Sequence, residues 1–278
     1  MAKISAKEVN KLRQMTGVGM MDCKKALEEA EGDFDNAIEI LRKKGQKLAN
    51  KRADKDTNEG IVLAQSSEDR TYGAIFMLNC ETDFVAKNGD FVNFAKKLMA
   101  VAIAEKPTDL EAFKKINLDG RTVDEHVTEM VGKTGEKLVL SNYGFLEGDL
   151  VVSYIHHGNR LASLVKANKS GNAEIEEAVY NVAMQVAAMA PAGVDENDVP
   201  DEVKEKELEL GREQARQEGK PDKILDKIAQ GRLNKFLNEN TLLNQEYIKE
   251  AKTSVRQYLS NIDKELTIVE FKRFALGE

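Results

Sequence analysis

The segment Thr82-Asp83-Phe84-Val85 sets a hydroxyl, a carboxylate and a large aromatic ring side by side. It reads as a connection between a strand ending near Cys80 and a helix beginning near Asp90. Two kinds of chemistry fit it. In one, Asp83 accepts hydrogen bonds from free backbone N–H groups and Phe84 fills the core. In the other, Phe84 projects outward as a wedge into a partner, and Asp83 bonds or repels groups there. Residue chemistry alone leaves both open. Other reactive groups are sparse. There are three histidines, and the adjacent His156 and His157 would face opposite ways on a strand, which weakens a metal or triad reading. Cys23 and Cys80 have no CxxC spacing, so both read as buried thiols rather than a zinc site or a disulfide. The chain contains no GxxxxGK[ST] loop, GxSxG elbow, HExxH pair or GxGxxG turn. The expectation is a protein that is not an enzyme, with no cofactor and no metal. The alternative is an enzyme built from scattered residues, Asp83, His157 and Glu81, in a cleft.

Composition narrows the classes further. At 278 residues the chain is long enough for about two domains and a substantial core. With 41% apolar and 32% charged residues it has the balance of a soluble globular protein. No apolar run approaches the roughly 20 residues of a membrane helix. The start lacks both a leader's basic and apolar regions and the look of a transit peptide, so the expected location is the cytoplasm. A net charge of -7 argues against direct nucleic-acid binding, which needs a basic surface.

The elements that must position these residues are legible from caps and periodicity. Ser5 and Glu8 form a capping box for a first helix carrying Val9, Leu12 and Met15, stopped by Gly17. Asp22 can cap a second, with Ala26, Leu27 and Ala30 inward. Asp33 or Asp35 can start a third, with Ile38 and Leu41 buried and cations before its end at Gly45. These three helices predict a bundle over residues 1–46, followed by a solvated linker over 47–58. From Gly60 strands take over: Ile61-Val62-Leu63, a turn at Ser66–Arg70, then Tyr72–Leu78. A helix follows from about Asp90 to Glu105, closed by Pro107. Thr122 and Glu125 cap another, running toward Gly132 or Gly135.

The same order then recurs. Val151–Tyr154 and Leu161–Ala167 flank a Gly158-Asn159 turn, and a helix follows from about Ala173 to Met189, closed by Pro191. Residues 94–102 resemble residues 182–190, which points to a duplicated α+β core, divided as 59–140 and 141–278. Chance likeness of two amphipathic helices is the alternative. Asp201–Gln217 and the helix after Gly219-Lys220-Pro221 predict a helical hairpin over about 200–237. Val203, Leu208 and Leu210 line one arm, and Ile224, Leu225, Ile228, Leu233 and Phe236 the other. A last helix near Ser254 and a strand through Leu266–Phe274 complete a sheet.

Several motifs carry a family likeness. Thr16-Gly17-Val18-Gly19 followed by Met20-Met21-Asp22-Cys23-Lys24-Lys25-Ala26-Leu27 resembles the opening signature of the elongation factor Ts family. Asn79-Cys80-Glu81-Thr82-Asp83-Phe84-Val85-Ala86-Lys87 resembles its second signature. Tyr154-Ile155-His156-His157-Gly158, Gly219-Lys220-Pro221 and Gly231-Arg232 also match, in order over nearly the whole chain. The resemblance implies an α+β fold with a ubiquitin-associated-like (UBA-like) N-terminal bundle, a duplicated core with antiparallel sheets and a coiled-coil hairpin. It implies nucleotide exchange on the GTPase elongation factor Tu, chiefly in its GDP-bound and nucleotide-free forms, with a homodimer or a 2:2 complex as possible assemblies. Thr82, Asp83, Phe84 and Val85 would disturb the Mg²⁺ site of that GTPase. Met20, Met21 and Lys24 would contact it from the bundle, and Gly135 and His157 would add contacts, with His156 taking that place under a one-residue shift. The chain ends after Gly277-Glu278, where some members carry a further helix. Beside the enzyme, the remaining alternative is a UBA-type adaptor binding through the bundle alone.

Overall fold

The computed structural model describes residues 4–278. The expectation about a leader rests in part on Met1 to Lys3, which lie outside the described residues.

Three helices open the chain: α1 (Ala6–Thr16), α2 (Met20–Glu29) and α3 (Phe34–Lys51). The Ser5/Glu8 capping box is formed, and Asp33 caps α3 by accepting from the Asn36 N–H. Asp22 does not cap α2, which starts after Gly19 without a side-chain cap. Its carboxylate lies in the first turn, where a negative charge suits the helix N-terminus, and pairs with Lys44 of α3. Leu12, Cys23, Ala26, Leu27, Ala37 and Leu41 make the bundle core. Met15, expected inside, is exposed, because Thr16 takes the inward position one residue on. Ile38 is only half-buried, with Ala37 facing the core.

The helix expected to stop at Gly45 runs on to Lys51. Gly45 is a contact rather than a stop, since a Cβ there would lie 3.4 Å from the Thr128 carbonyl oxygen and 3.5 Å from the Gly132 Cα. Two backbones can approach this closely only where neither carries a side chain. Leu48 and Ala49 then pack on the core beyond.

That core begins with the hairpin β1 (Glu59–Ser66) and β2 (Tyr72–Cys80), followed by the single turn α4 (Asp83–Ala86) and the long α5 (Gly89–Glu105). Next come α6 (Leu110–Lys115), the two-residue strands β3 (Asn117–Leu118) and β4 (Arg121–Thr122), α7 (Val123–Thr134) and β5 (Val139–Glu147). The second half repeats the order with β6 (Leu150–Ile155), β7 (Leu161–Ala167) and α8 (Ala173–Met189). The hairpin helices α9 (Asp201–Gln217) and α10 (Asp222–Asn240) lead to α11 (Val255–Ile262) and β8 (Ile268–Ala275).

Two antiparallel three-stranded sheets result, β1-β2-β5 and β6-β7-β8. They pack face to face through Val62, Ile75, Met77, Val151 and Leu164. Helices α5 and α7 cover the outer face of the first sheet, and α8 and α11 that of the second. Every residue of β2 is buried, as expected for a strand covered on both faces. The α+β class with antiparallel sheets is thus established.

The repeat is real in topology but its helices align differently from expectation. Asn88 and Asn172 both cap through their side chains, α5 and α8 are both 17 residues long, and Lys106 and Ala190 both end them in left-handed geometry. A proline follows each. These landmarks pair residue 98 with 182, one helical turn away from the pairing of 94 with 182. A slip of four residues keeps an apolar stripe on nearly the same face, so periodicity cannot detect it. Between strand and helix cap the first copy has residues 81–87, and the second only 168–171. The difference is α4.

The hairpin arms meet through small residues, with Gly211 and Ala215 of α9 and Ala229 of α10 buried. Leu210 and Ile224, expected on the contact stripe, are exposed. No described helix is long and apolar enough to cross a membrane.

Candidate functional site

Helix α4 is a single turn of four residues, too short to hold itself together, and its supports come from outside. Thr82 caps it, its hydroxyl accepting from the Val85 N–H at 3.4 Å. Val85 and Ala86 pack on the core and fix the turn's inner side. Phe84 stands on the outer side with 83% of its surface in solvent, the most exposed large apolar side chain among the described residues. The reading in which Phe84 fills the core is therefore overturned. So is the reading of Asp83 as a cap: its carboxylate bonds Lys87 Nζ at 2.6 Å, which holds the acid below the usual carboxylate range.

Behind the turn lies a polar anchorage. The Glu136 carboxylate accepts from the Glu81 N–H at 3.2 Å, the Thr82 N–H at 3.0 Å and the Thr82 hydroxyl at 2.5 Å. Glu81 in turn accepts from the Lys137 N–H at 2.5 Å. Its Oε1 also lies 3.0 Å from Arg52 Nε, an ionic contact too oblique to count as a hydrogen bond. Cys80 is buried and its Sγ–H donates to the Thr82 carbonyl at 3.1 Å. Burial, with the Glu136 charge adding to it, pushes this thiol up to about 12. Glu136, Glu81, Arg52 and Lys87 were not singled out for these roles from sequence. No local spacing announces them, because each works across a gap of tens of residues or, for Lys87, by the ordinary i, i+4 pairing of any helix.

The structure brings most of the expected site residues into one neighbourhood. Gly135 ends α7 in the left-handed region at φ 77, a conformation that costs glycine nothing. It thereby turns the chain so that the next residue, Glu136, reaches Thr82. On the other side, Asp83, Ala86 and Lys87 share a groove of about 260 Å³ with Gly158, Asn159 and Arg160. His156 and His157 lie just past the end of β6, in the turn that precedes that groove, and not on a strand. His156 Nδ1 is 2.9 Å from the Tyr154 hydroxyl, whereas the exposed His157 has no hydrogen-bond partner among the described residues.

Met20, Met21 and Lys24 sit on α2, away from α4. Both methionines are exposed, at 48% and 64%, and Lys24 pairs with Glu28 at 3.7 Å. The preceding turn ties them to the rest: a Cβ at Gly17 would lie 3.3 Å from Cδ of Lys133 near the end of α7. The methionine face and the Phe84 turn are thus mounted on the two ends of one short path through α7, Gly135 and Glu136.

The alternative of an enzyme built from Asp83, His157 and Glu81 is not supported by the described residues: Asp83 is paired with Lys87. Glu81 is consumed by its structural contacts, and the sole histidine–carboxylate contact among the described residues, His126 with Glu129 at 3.9 Å, belongs to α7. No group of three or more His, Cys, Asp or Glu among the described residues is placed to hold a metal ion. What remains is a surface with an exposed aromatic ring, an acid–base pair beside it and a methionine face further along.

A family model described as Elongation factor TS matches residues 81–278. The chain is similar to the Elongation factor Ts of Christiangramia forsetii, at 51% identity over 100% of both chains. It is likewise similar to that of Amoebophilus asiaticus, at 50% over 99% of each, and of Cytophaga hutchinsonii, at 49% over 100% of each.

Proposed function

The chain belongs to the elongation factor Ts family, whose role is nucleotide exchange on elongation factor Tu, and we propose that it drives this exchange through the Thr82–Val85 turn. The observation that carries the proposal is a phenylalanine left 83% exposed on a turn anchored from behind by Glu136. An exposed aromatic has no role in this protein's own stability, whereas on binding it offers a large area to bury.

Exchange makes and breaks no covalent bond. By linkage, a factor that binds the empty GTPase better than the GDP-loaded one must lower GDP affinity by the same ratio. The partner's Mg²⁺ is an effective target, because it demands near-octahedral geometry and bridges protein to phosphate. Phe84 and Asp83 wedge beside that ion and displace its ligands. Thr82 and Val85 hold the wedge, and Met20, Met21, Lys24, Gly135 and His157 spread the contact. A release accelerated about 10⁴-fold needs roughly 5.5 kcal/mol, and burying one phenylalanine supplies about 1.5–3 kcal/mol. Contacts made by the methionine face and the rest of the interface supply the remainder.

The three N-terminal helices act as a UBA-like module, which ends with α3 at Lys51 rather than at the expected residue 46; residues 52–58 join it to the core halves 59–140 and 141–278, and the α9/α10 hairpin is a coiled coil. The protein works in the cytoplasm, favours the GDP-bound and nucleotide-free partner, and can assemble as a homodimer or a 2:2 complex. Stopped-flow release of a fluorescent GDP analogue from elongation factor Tu, with and without this protein, is the direct test. No acceleration at saturating concentration refutes it.

A further inference from the structure

We propose that Glu136 and Glu81 are positioning residues for exchange, forming a reciprocal carboxylate clasp that fixes the direction of Phe84; the inference rests on the exchange function proposed above. The ladder between β2 and β5 ends at the pair Asn79 and Val139. Beyond it the two chains diverge, and their backbone N–H groups need acceptors that the sheet no longer provides. Each chain answers with a glutamate. Glu136, from the β5 side, takes the N–H groups of Glu81 and Thr82. Glu81, from the β2 side, takes the N–H of Lys137.

The clasp is fastened at both ends. The Thr82 hydroxyl donates to Glu136 at 2.5 Å and accepts from the Val85 N–H, so the hydroxyl that caps α4 is itself oriented by the glutamate. Lys137 Nζ donates to the carbonyls of Ala53 at 2.5 Å and Lys55 at 2.9 Å. The segment after α3 is thereby tied to the same knot. Hydrogen bonds to an ionised acceptor are the stronger kind, and three donors converge on one carboxylate here.

Why a mobile turn would fail follows from its length. Four residues cannot sustain a helix alone, and an unfastened Phe84 would lose its rotational freedom only on meeting the partner, at the expense of the wedge. Glu136 acts through Phe84. Thr82 likewise has its hydroxyl satisfied within the protein and serves the turn's geometry.

The test compares Glu136→Ala, Glu136→Gln and Phe84→Ala in stimulated GDP release from elongation factor Tu, reading the saturating rate and the half-saturating concentration separately. For Glu136→Ala the saturating rate is expected to fall about 10- to 100-fold, as for other misplacements of about 1 Å, with half-saturation moving less than about 3-fold. Glu136→Gln, keeping one acceptor oxygen, falls between. Adding Glu136→Ala to Phe84→Ala slows release little further, because both act through one ring. Amide hydrogen exchange at Thr82 to Val85 speeds up in Glu136→Ala while the sheets stay protected. A wild-type saturating rate for Glu136→Ala, with Phe84→Ala slow, overturns the clasp and leaves the exchange function standing. A wild-type rate for Phe84→Ala overturns the reading that exchange works through the Thr82–Val85 turn, and the clasp's role with it, whereas absence of any stimulation by the wild-type protein overturns the exchange function. Should Glu136→Ala not fold, Thr82→Ser and Thr82→Val decide: the serine keeps the donor and should retain the rate, the valine should lose it, and equal rates refute the clasp.

Discussion

Truncating Phe84 to alanine removes the ring on which the proposed exchange turns, and the structure bounds both of its effects. In the free protein the ring is 83% exposed, so the loss should stay within about 0.5 kcal/mol of wild-type stability, as for surface substitutions generally. On the proposed mode of binding the ring is buried in the complex, and its removal then takes away about 1.5–3 kcal/mol. If that burial is realised only as GDP leaves, stimulated release slows by roughly 10- to 150-fold. For an overall acceleration on the order of 10⁴-fold some stimulation survives, because that exceeds what one ring provides. The assay is stopped-flow release of a fluorescent GDP analogue at saturating factor, paired with thermal unfolding by circular dichroism. An unchanged release rate with a normal melting curve refutes the wedge. A rate loss accompanied by an equally large fall in melting temperature refutes the claim that Phe84 is idle in the free fold.

Asp83→Asn should leave the melting temperature unchanged, since Thr82 rather than Asp83 caps α4, yet slow exchange; a drop in stability alone would return Asp83 to a structural role. Gly45→Val should separate α3 from α7 and cost about 1–3 kcal/mol through overpacking, seen as a lower urea midpoint, and an unchanged midpoint would mean the helices do not need the close approach. The Cys80 thiol, pushed up to about 12, lies above the roughly 8.5 of an unfolded cysteine. The folded chain keeps this proton where the unfolded chain releases it, so the thiol's contribution is full below about pH 8.5 and is lost as pH rises toward about 12. Urea midpoints should accordingly fall as pH is raised from about 8 to about 9.5, with a shallower fall in Cys80→Ala; identical slopes in the two proteins would refute the assignment.

Much of the framework was legible because its signals are local. A cap joins residues three apart, a proline or glycine ends a helix where it stands, and strand alternation needs only neighbours. Hence the capping boxes at Ser5 and Thr122, the α8 limits and the order of the two hairpins read correctly from residue types. The family signatures around Met20 and Asp83 were equally visible. Several of the departures share one cause, namely partners distant in sequence, while the misplaced Met15 and the missing Asp22 cap are local. Gly45 looks like a helix stop until Gly132 lies against it. The repeats slide by one helical turn unless the asparagine caps and closing prolines are superposed in space. Phe84 can be core or wedge with the same four letters, and only the packing of Val85 beneath and open solvent above decides. Glu136 has no local mark at all, since its meaning lies 54 residues upstream at Thr82. Propensities and caps are properties of a short stretch of chain; burial, close approach and the direction of a side chain belong to whatever the rest of the chain brings against it.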